Sequence, residues 1–137
     1  MDAFLGKWIA IKDDVDWTPF MKAAGMTEDQ IQFFIKNDKE NDTKVTFSQE
    51  GDKYVYHSDS GPMTYTIQFQ LGKPFDVKLK EGMGVKGVTT FENGQLKTES
   101  QMTNCKPTSH IRTVSGGKMK IVSTAGNVTL AREFQKM

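Results

Sequence analysis

The sequence predicts an all-β protein, an antiparallel barrel that encloses a cavity, and three observations lead to that prediction. Beyond residue 40, turn residues recur at roughly the 8–12-residue interval that is typical of all-β barrels and sandwiches. The segments between these turns alternate apolar and polar side chains, as half-buried strands do. Several of the apolar faces also carry hydroxyl groups, which a dry core would leave without partners.

Composition limits the class of protein further. The chain has 137 residues, which is one domain (1–137), and a net charge of +1 with 26% charged residues. Nucleic-acid binding usually needs a basic face, so this charge balance argues against a nucleic-acid partner. A single cysteine cannot form an internal disulfide, and the first ten residues, MDAFLGKWIA, contain no apolar signal segment. We therefore expect a cytoplasmic protein.

The chain begins with a predicted strand over residues 5–13, followed by the one convincing helical segment, residues 16–36. A first short helix is expected to start at Asp16, whose carboxylate can accept first-turn N–H groups. Pro19 is tolerated in that first turn, and Gly25 is a good C-terminal stop.

A second helix is predicted from a capping box, Thr27-x-x-Gln30, followed by Ile31, Phe34 and Ile35 at helical spacing. Each helix is too short to be stable alone, so the pair must lie on a larger structure. Residues 37–42, NDKEND, are interpreted as a polar link to the next strand.

About nine strands are expected around the turn signals. Two of these signals, Asn93-Gly94 and Gly116-Gly117, are typical of two-residue hairpins. The others are Glu50-Gly51-Asp52, Gly61-Pro62, Gly72-Lys73-Pro74, Gly82-Met83-Gly84, residues 104–107 and Gly126-Asn127.

The inner faces of the predicted strands mix apolar side chains with hydroxyls. The faces concerned are Met63, Tyr65, Ile67, Phe69 and Leu71; Val85, Gly87, Thr89 and Phe91; Leu96, Thr98, Ser100 and Met102; and Met119, Ile121 and Ser123. An interior that holds water and a ligand would satisfy these hydroxyls. A small closed barrel can enclose one small ligand.

Two arginines fall on such inner faces. Arg132 alternates with Leu130 and Phe134 in the last strand, and Arg112 shares a face with His110. Burying an unpaired guanidinium costs several kcal/mol, so the two residues indicate an anion, water or both inside the barrel. The alternative is a bulge or a register slip that turns one or both outward.

Six segments together carry a family resemblance: GKWIAIKDDVDWTPFMKAAG, QEGDKY, FQLGKPFD, the turn ENGQL, the strand IRTVSGGK and the terminal Val128-x-x-x-Arg132-x-Phe134. With these segments, the chain resembles the intracellular lipid-binding proteins, the fatty-acid-binding protein family. The resemblance covers essentially the whole chain. It implies a ten-stranded antiparallel up-and-down β-barrel, or β-clam, with a helix-turn-helix lid between the first two strands. It also implies a fatty acid inside, whose carboxylate lies near positions 112, 132 and 134 of this chain.

The resemblance has three departures. The family has a tyrosine where this chain has Phe134, so one hydroxyl donor is missing from the implied carboxylate site. A portal phenylalanine of the family falls near Pro62 and Met63, and one residue is inserted around 104–107. The residues expected to line the cavity or its portal are Phe20, Ile31, Pro62, Met63, His110 and Ile121.

Other classes of function remain as alternatives. Gly6-x-Trp8 is also similar to the lipocalins, secreted carriers of small hydrophobic ligands, and a solid-core interaction domain is a further possibility. An enzyme would need a nucleophile with a base or a metal cluster. Cys105 is interpreted as a surface thiol in a turn, and His57 and His110 alone do not make a zinc site. We expect no catalysis, no metal and no cofactor.

The function expected from these patterns and from the resemblance is non-covalent binding and intracellular transport of a long-chain fatty acid or a related lipid. The protein is expected to be a monomer. Two positions of Phe33 are compatible with the sequence: an exposed one, which would give the lid transient contact with a membrane or a partner, and a packed one under the lid.

Overall fold

The computed structural model describes residues 2–12, 16–80 and 83–137. A short 3-10 turn, Asp2–Phe4, precedes the first strand. The elements that follow are β1 (Gly6–Ala10), α1 (Thr18–Ala23), α2 (Glu28–Glu40), β2 (Lys44–Glu50), β3 (Lys53–Ser60), β4 (Met63–Phe69), β5 (Phe75–Lys80), β6 (Met83–Glu92), β7 (Gln95–Met102), β8 (Thr108–Ser115), β9 (Lys118–Ala125) and β10 (Val128–Lys136).

Ten strands form one antiparallel sheet in the order β4-β3-β2-β1-β10-β9-β8-β7-β6-β5. Neighbouring strands in this order are hydrogen-bonded, and the first strand pairs with the last through Trp8↔Lys136. The two edge strands, β4 and β5, are consecutive in the chain, so the sheet curls into a nearly closed barrel. This confirms the up-and-down barrel with a helix pair between the first two strands.

The hairpin turns follow the predicted glycines at most positions. Asn93 and Gly94 both have positive φ, 53° and 78°, the left-handed backbone that a two-residue hairpin requires. One predicted turn was misplaced, because Met83 and Gly84 belong to β6, and Gly82 lies outside the described residues. The predicted first strand was also too long: β1 ends at Ala10, and residues 13–15 are not described.

Apolar side chains fill the barrel at one end. Phe4, Trp8, Phe47, Leu96 and Met119 are almost completely buried there. The indole Nε1 of Trp8 donates to the Phe4 carbonyl oxygen at 2.9 Å, which satisfies its buried N–H. This cluster makes one end of the barrel solid.

A second cluster lies under the lid. Phe20 and Ala24 of the lid segment are buried against Ala125, with Val128 and Leu130 of the last strand packed beside them. The two clusters therefore leave a space between them inside the barrel, covered on one side by the helices.

The side chains that the sequence predicted at the two helix N-termini do bind first-turn N–H groups. The Asp16 carboxylate accepts from the Thr18 N–H at 2.9 Å, but Trp17 occupies the N-cap position, so α1 begins one residue later than predicted. The predicted capping box of α2 is confirmed. The Thr27 N–H donates to Gln30 Oε1 at 2.9 Å, and the Gln30 N–H donates to Thr27 Oγ1 at 3.2 Å.

The end of α2 was predicted wrongly. The helix continues through residues 37–40, which the sequence suggested were a polar link. The ammonium group of Lys12 donates to the carbonyl oxygens of Asp38 at 2.7 Å and Asn41 at 3.1 Å. These distant contacts satisfy carbonyls that a helix end leaves unpaired, so they stabilise an extra turn of polar residues.

Candidate ligand-binding cavity

The barrel encloses a cavity of about 400 Å³ between the solid end and the lid. This volume lies within the range of about 300–1,000 Å³ that small-molecule sites occupy. The lining is mainly apolar, with a small number of polar and charged groups. The cavity contradicts the alternative of a solid-core interaction domain.

Most of the predicted site residues meet in this cavity. The residues that line it are Phe20, Met63, His110, Arg112, Ile121, Arg132 and Phe134. Pro62 lies in the exposed turn between β3 and β4, and Ile31 is buried on α2 with 1% exposure. Neither is among the lining residues, and their place at the portal stays a prediction.

The half-polar inner faces are confirmed. Thr89, Thr98, Ser100 and Ser123 all line the cavity beside apolar neighbours. The hydroxyls of Thr89 and Thr98 lie 2.9 Å apart across β6 and β7, so they satisfy each other. Phe91, which shares the Thr89 face, lies instead at the solid end, where its ring contacts Phe4 edge-on at 6.1 Å.

Arg112 lies inside the cavity among aromatic rings. Its guanidinium carbon is 5.2 Å from the Tyr56 ring centroid and 5.8 Å from that of Phe47. Such cation–π contacts offset part of the cost of removing the charge from water. No carboxylate pairs with Arg112 within residues 2–12, 16–80 and 83–137.

Tyrosine hydroxyls accompany Arg112. The ring of Tyr65 lies 6.1 Å from the ring of Tyr56, and both residues line the cavity. Burial raises the pKa of Tyr65 above its ordinary value, Tyr56 raises it further, and the Arg112 charge opposes the rise. Tyr65 is therefore a neutral hydroxyl, and it is hydrogen-bonded to the side chains of Tyr56 and Ser58.

Arg132 has a different environment. Its Nη2 donates to the Asp38 carboxylate at 2.8 Å, and the Arg132 side chain is only 15% exposed. Its guanidinium carbon also lies 5.7 Å from the ring centroid of Phe134. Both arginines thus face inward, as the alternation predicted, but Arg132 already has an ionic partner and Arg112 has aromatic ones.

His110 completes the polar part of the lining. Its Nδ1 lies 2.7 Å from Ser123 Oγ, and its Nε2 lies 3.1 Å from Thr108 Oγ1. Burial, together with the nearby positive charge of Arg112, lowers the pKa of His110 from 6.5 to about 4. The ring is therefore neutral at neutral pH, and its role in the cavity is to exchange hydrogen bonds.

Cys105 was predicted to be a surface thiol, and this was wrong. The residue is 8% exposed and lines the cavity, and burial raises the pKa of its thiol. It is buried because the N–H of the next residue, Lys106, donates to the Ala24 carbonyl at 2.8 Å, which ties the β7–β8 turn to the lid. A thiol with a raised pKa is a poor nucleophile.

Sequence reasoning missed three polar groups of the site. Tyr65 was on a predicted inner face, but no sequence signal placed it or Tyr56 beside Arg112. Asp38 was overlooked because it lies in the stretch interpreted as a link. Its i+4 spacing from Phe34, another lining residue, was the available signal, since both lie on one helix face.

Two broader features bear on the class of protein. Among the described residues, no helix combines the length and the apolar character that crossing a membrane requires. In the same part of the chain, no group of three or more His, Cys, Asp or Glu side chains is arranged to hold a metal ion.

The chain is similar to known proteins over its whole length. The model of the lipocalin / cytosolic fatty-acid binding protein family matches residues 2–137. The 14 kDa fatty acid-binding protein of Schistosoma mansoni is 29% identical over 137 residues, covering 100% of this chain and 99% of that protein.

Solved structures agree with this match. The Schistosoma mansoni fatty acid binding protein in complex with arachidonic acid is 27% identical, with a TM-score of 0.84 and coverage of 100% of this chain and 98% of that one. The Echinococcus granulosus fatty-acid-binding protein 1 is 25% identical, with a TM-score of 0.84 and coverage of 100% and 99%. Since the family model spans almost every residue, the chain belongs to the lipocalin / cytosolic fatty-acid binding protein family.

Proposed function

We propose that the protein binds one long-chain fatty acid non-covalently in its cavity and carries it through the cytosol. The observation that carries the proposal is a mainly apolar cavity with guanidinium groups in its wall. An apolar chain with an anionic end has the complementary chemistry. The arachidonic acid complex of the Schistosoma mansoni relative supports this choice of ligand class.

The expected energies divide between tail and headgroup. Burying a chain of about sixteen carbons, at ~0.8 kcal/mol per CH2, contributes on the order of 12 kcal/mol before the costs of association. A charge-assisted hydrogen bond adds about 1.5–3 kcal/mol. The tail therefore supplies most of the affinity, and the charged groups set the orientation and the headgroup preference.

A carrier role fits the chemistry of the lining better than an enzymatic one. Two lining side chains that enzymes often use in covalent or acid–base chemistry are poorly suited to it here: the pKa of the Cys105 thiol is raised, and both ring nitrogens of His110 are engaged with hydroxyls. The relatives from Schistosoma mansoni and Echinococcus granulosus are named as fatty-acid-binding proteins.

The cellular setting belongs to the same proposal. We place the protein in the cytoplasm as a monomer, because its single cysteine suits a reducing compartment and its apolar clusters are packed within its own fold. The lid would touch a membrane transiently during loading and release. Phe33 of α2 is 38% exposed, and an exposed aromatic ring suits such a contact.

Calorimetric titration of the delipidated protein with oleate tests the proposal. We expect saturable binding near one equivalent, with micromolar or tighter affinity, and displacement of a fluorescent fatty-acid probe. The absence of both heat and displacement would contradict it.

A pair of variants on β9 shows whether the ligand lies inside the barrel. Ile121→Trp should fill the cavity and abolish binding, because Ile121 lines it. Lys120→Trp places the same ring on the exposed outer face and should bind oleate like the parent protein. Circular dichroism of both variants checks that the barrel is folded.

A further inference from the structure

The two cavity arginines differ in what they offer to an anionic ligand. Arg132 is held in a 2.8 Å ion pair with Asp38, a residue of the lid helix α2 that lies 94 positions away in the chain. Arg112 lies beside the rings of Tyr56 and Phe47, and no carboxylate of the described residues pairs with it. One cation is thus neutralised by the protein, whereas the other is open to the ligand.

The position of Asp38 is fixed by contacts that do not involve Arg132. The Lys12 ammonium group donates to the Asp38 backbone carbonyl at 2.7 Å. One position earlier, Asn37 is buried with 8% exposure, and its side-chain oxygen accepts from Asn41 Nδ2 at 3.1 Å. The last turn of α2 therefore holds the Asp38 carboxylate in the cavity wall, where 39% of its side chain stays exposed.

A fatty acid headgroup at Arg132 would meet an obstacle that it does not meet at Arg112. The ligand carboxylate would either lie beside the Asp38 carboxylate, where like charges repel, or break an existing ion pair. Phe134, the ring next to Arg132, has no hydroxyl to compensate. At Arg112, by contrast, no carboxylate of the described residues stands in the way of an anionic headgroup.

We propose that Asp38 is a specificity-determining residue, a counter-ion from the lid helix that takes Arg132 out of ligand binding and directs the carboxylate of the fatty acid to Arg112. This inference rests on the proposed fatty acid binding and goes beyond it by assigning unequal roles to the two arginines. It predicts that Asp38 lowers the affinity for fatty acids and so reduces the preference for acids over neutral lipids of the same length.

The test compares the affinities of oleate and oleyl alcohol, which share a tail and differ in headgroup charge. Asp38→Asn keeps the shape of the side chain but removes its charge, so Arg132 becomes available. Oleate should then bind about tenfold more tightly, as expected for one added charge-assisted bond, while oleyl alcohol is nearly unchanged. Asp42→Asn is the matched control, since Asp42 lies at the same end of α2 but is 3.9 Å from Lys12 and has no contact with Arg132.

The arginine variants complete the experiment. In the parent protein, Arg112→Gln should weaken oleate about tenfold or more and leave the alcohol nearly unchanged, whereas Arg132→Gln should alter the oleate-to-alcohol ratio little. In the Asp38→Asn background, Arg132→Gln should cancel the gain. Arg112→Gln leaves the ion pair intact, so this arm remains decisive even if Asp38→Asn fails to fold.

Several outcomes would overturn the inference. These are an unchanged oleate-to-alcohol ratio in folded Asp38→Asn, an equal change in Asp42→Asn, or a parent protein whose selectivity depends on Arg132 and not on Arg112. Failure of the proposed function is distinguishable, because the parent protein would then bind neither oleate nor oleyl alcohol.

Discussion

At the scale of single residues, the cavity holds its ionisable side chains in defined charge states through contacts with neighbours. Arg112 is stabilised by aromatic rings and Arg132 by Asp38. His110 and Tyr65 are kept neutral by burial. The interior can therefore be polar without exposing an unpaired charge to an apolar wall, which would cost several kcal/mol.

His110 should make the stability of the protein depend on pH. The unfolded chain binds a proton at this residue below about pH 6.5, but the folded protein resists protonation until about pH 4. Its contribution to stability is thus complete above pH 6.5 and is lost as the pH falls toward 4. The loss is on the order of 3 kcal/mol, since each pKa unit corresponds to about 1.4 kcal/mol.

Urea unfolding of the parent protein and of His110→Gln between pH 7.5 and 4 measures this contribution. The variant should lose less of its free energy of unfolding over this interval, because it has no imidazole to protonate. His57→Gln removes the other histidine of the chain and should keep the parent's dependence on pH. Parallel curves for the parent and His110→Gln would contradict the assignment.

At the scale of secondary-structure elements, the two ends of α2 are determined in different ways. The N-terminus is specified locally by the Thr27–Gln30 capping box. The C-terminus depends on Lys12, which follows β1, and on Arg132, which lies in β10; both are far from this end of the helix in sequence. This is why the first end was predictable and the second was not.

Thr27→Ala should loosen the start of the lid helix. It removes the hydroxyl that accepts from the Gln30 N–H, a change that typically costs about 1 kcal/mol. Hydrogen exchange at the first-turn amides of α2 should become about fivefold faster, which corresponds to that free energy. Thr27→Ser keeps the acceptor oxygen and should exchange like the parent. Equal exchange in Thr27→Ala would show that the box does not hold the lid.

At the scale of the whole molecule, the barrel is closed in a way that leaves its interior free. The strands follow one another around the sheet, and β10 returns to β1, so every strand except the edge strands β4 and β5 pairs with a neighbour on both sides. Side chains do not have to fill the centre to hold such a wall together. The apolar cluster around Trp8 and Phe47 makes one end solid. A second cluster, in which Phe20 and Ala24 pack against Ala125, lies under the lid.

Because the ligand would bind only the folded barrel, it should stabilise the whole molecule. Oleate at about a hundred times its Kd should raise the free energy of unfolding by about 2.7 kcal/mol and Tm by several degrees. Differential scanning calorimetry with increasing oleate measures this rise. The cavity-filling variant Ile121→Trp is the control and should show no dependence on oleate. An equal rise in that variant would place the ligand outside the cavity.

Features that arise from local chemistry were predictable from the sequence. Two-residue alternation placed Met63, Ile121 and Phe134 on inner faces, and paired turn residues such as Asn93-Gly94 marked where strands reverse. Half-polar inner faces indicated that the barrel contains a cavity. These properties are predictable because strand periodicity, turn geometry and helix capping each depend on residues only a few positions apart.

Which polar groups meet inside the barrel depends on contacts between residues that are distant in sequence. Asp38 and Arg132 are 94 positions apart, and Tyr65 and Arg112 belong to strands that are not neighbours in the sheet. Cys105 became buried because the turn that carries it is tied to the lid. Such contacts depend on how far the barrel curls and where the lid lies on it. Periodicity shows only that a side chain faces inward, whereas the closed shape of the sheet determines which side chain it faces.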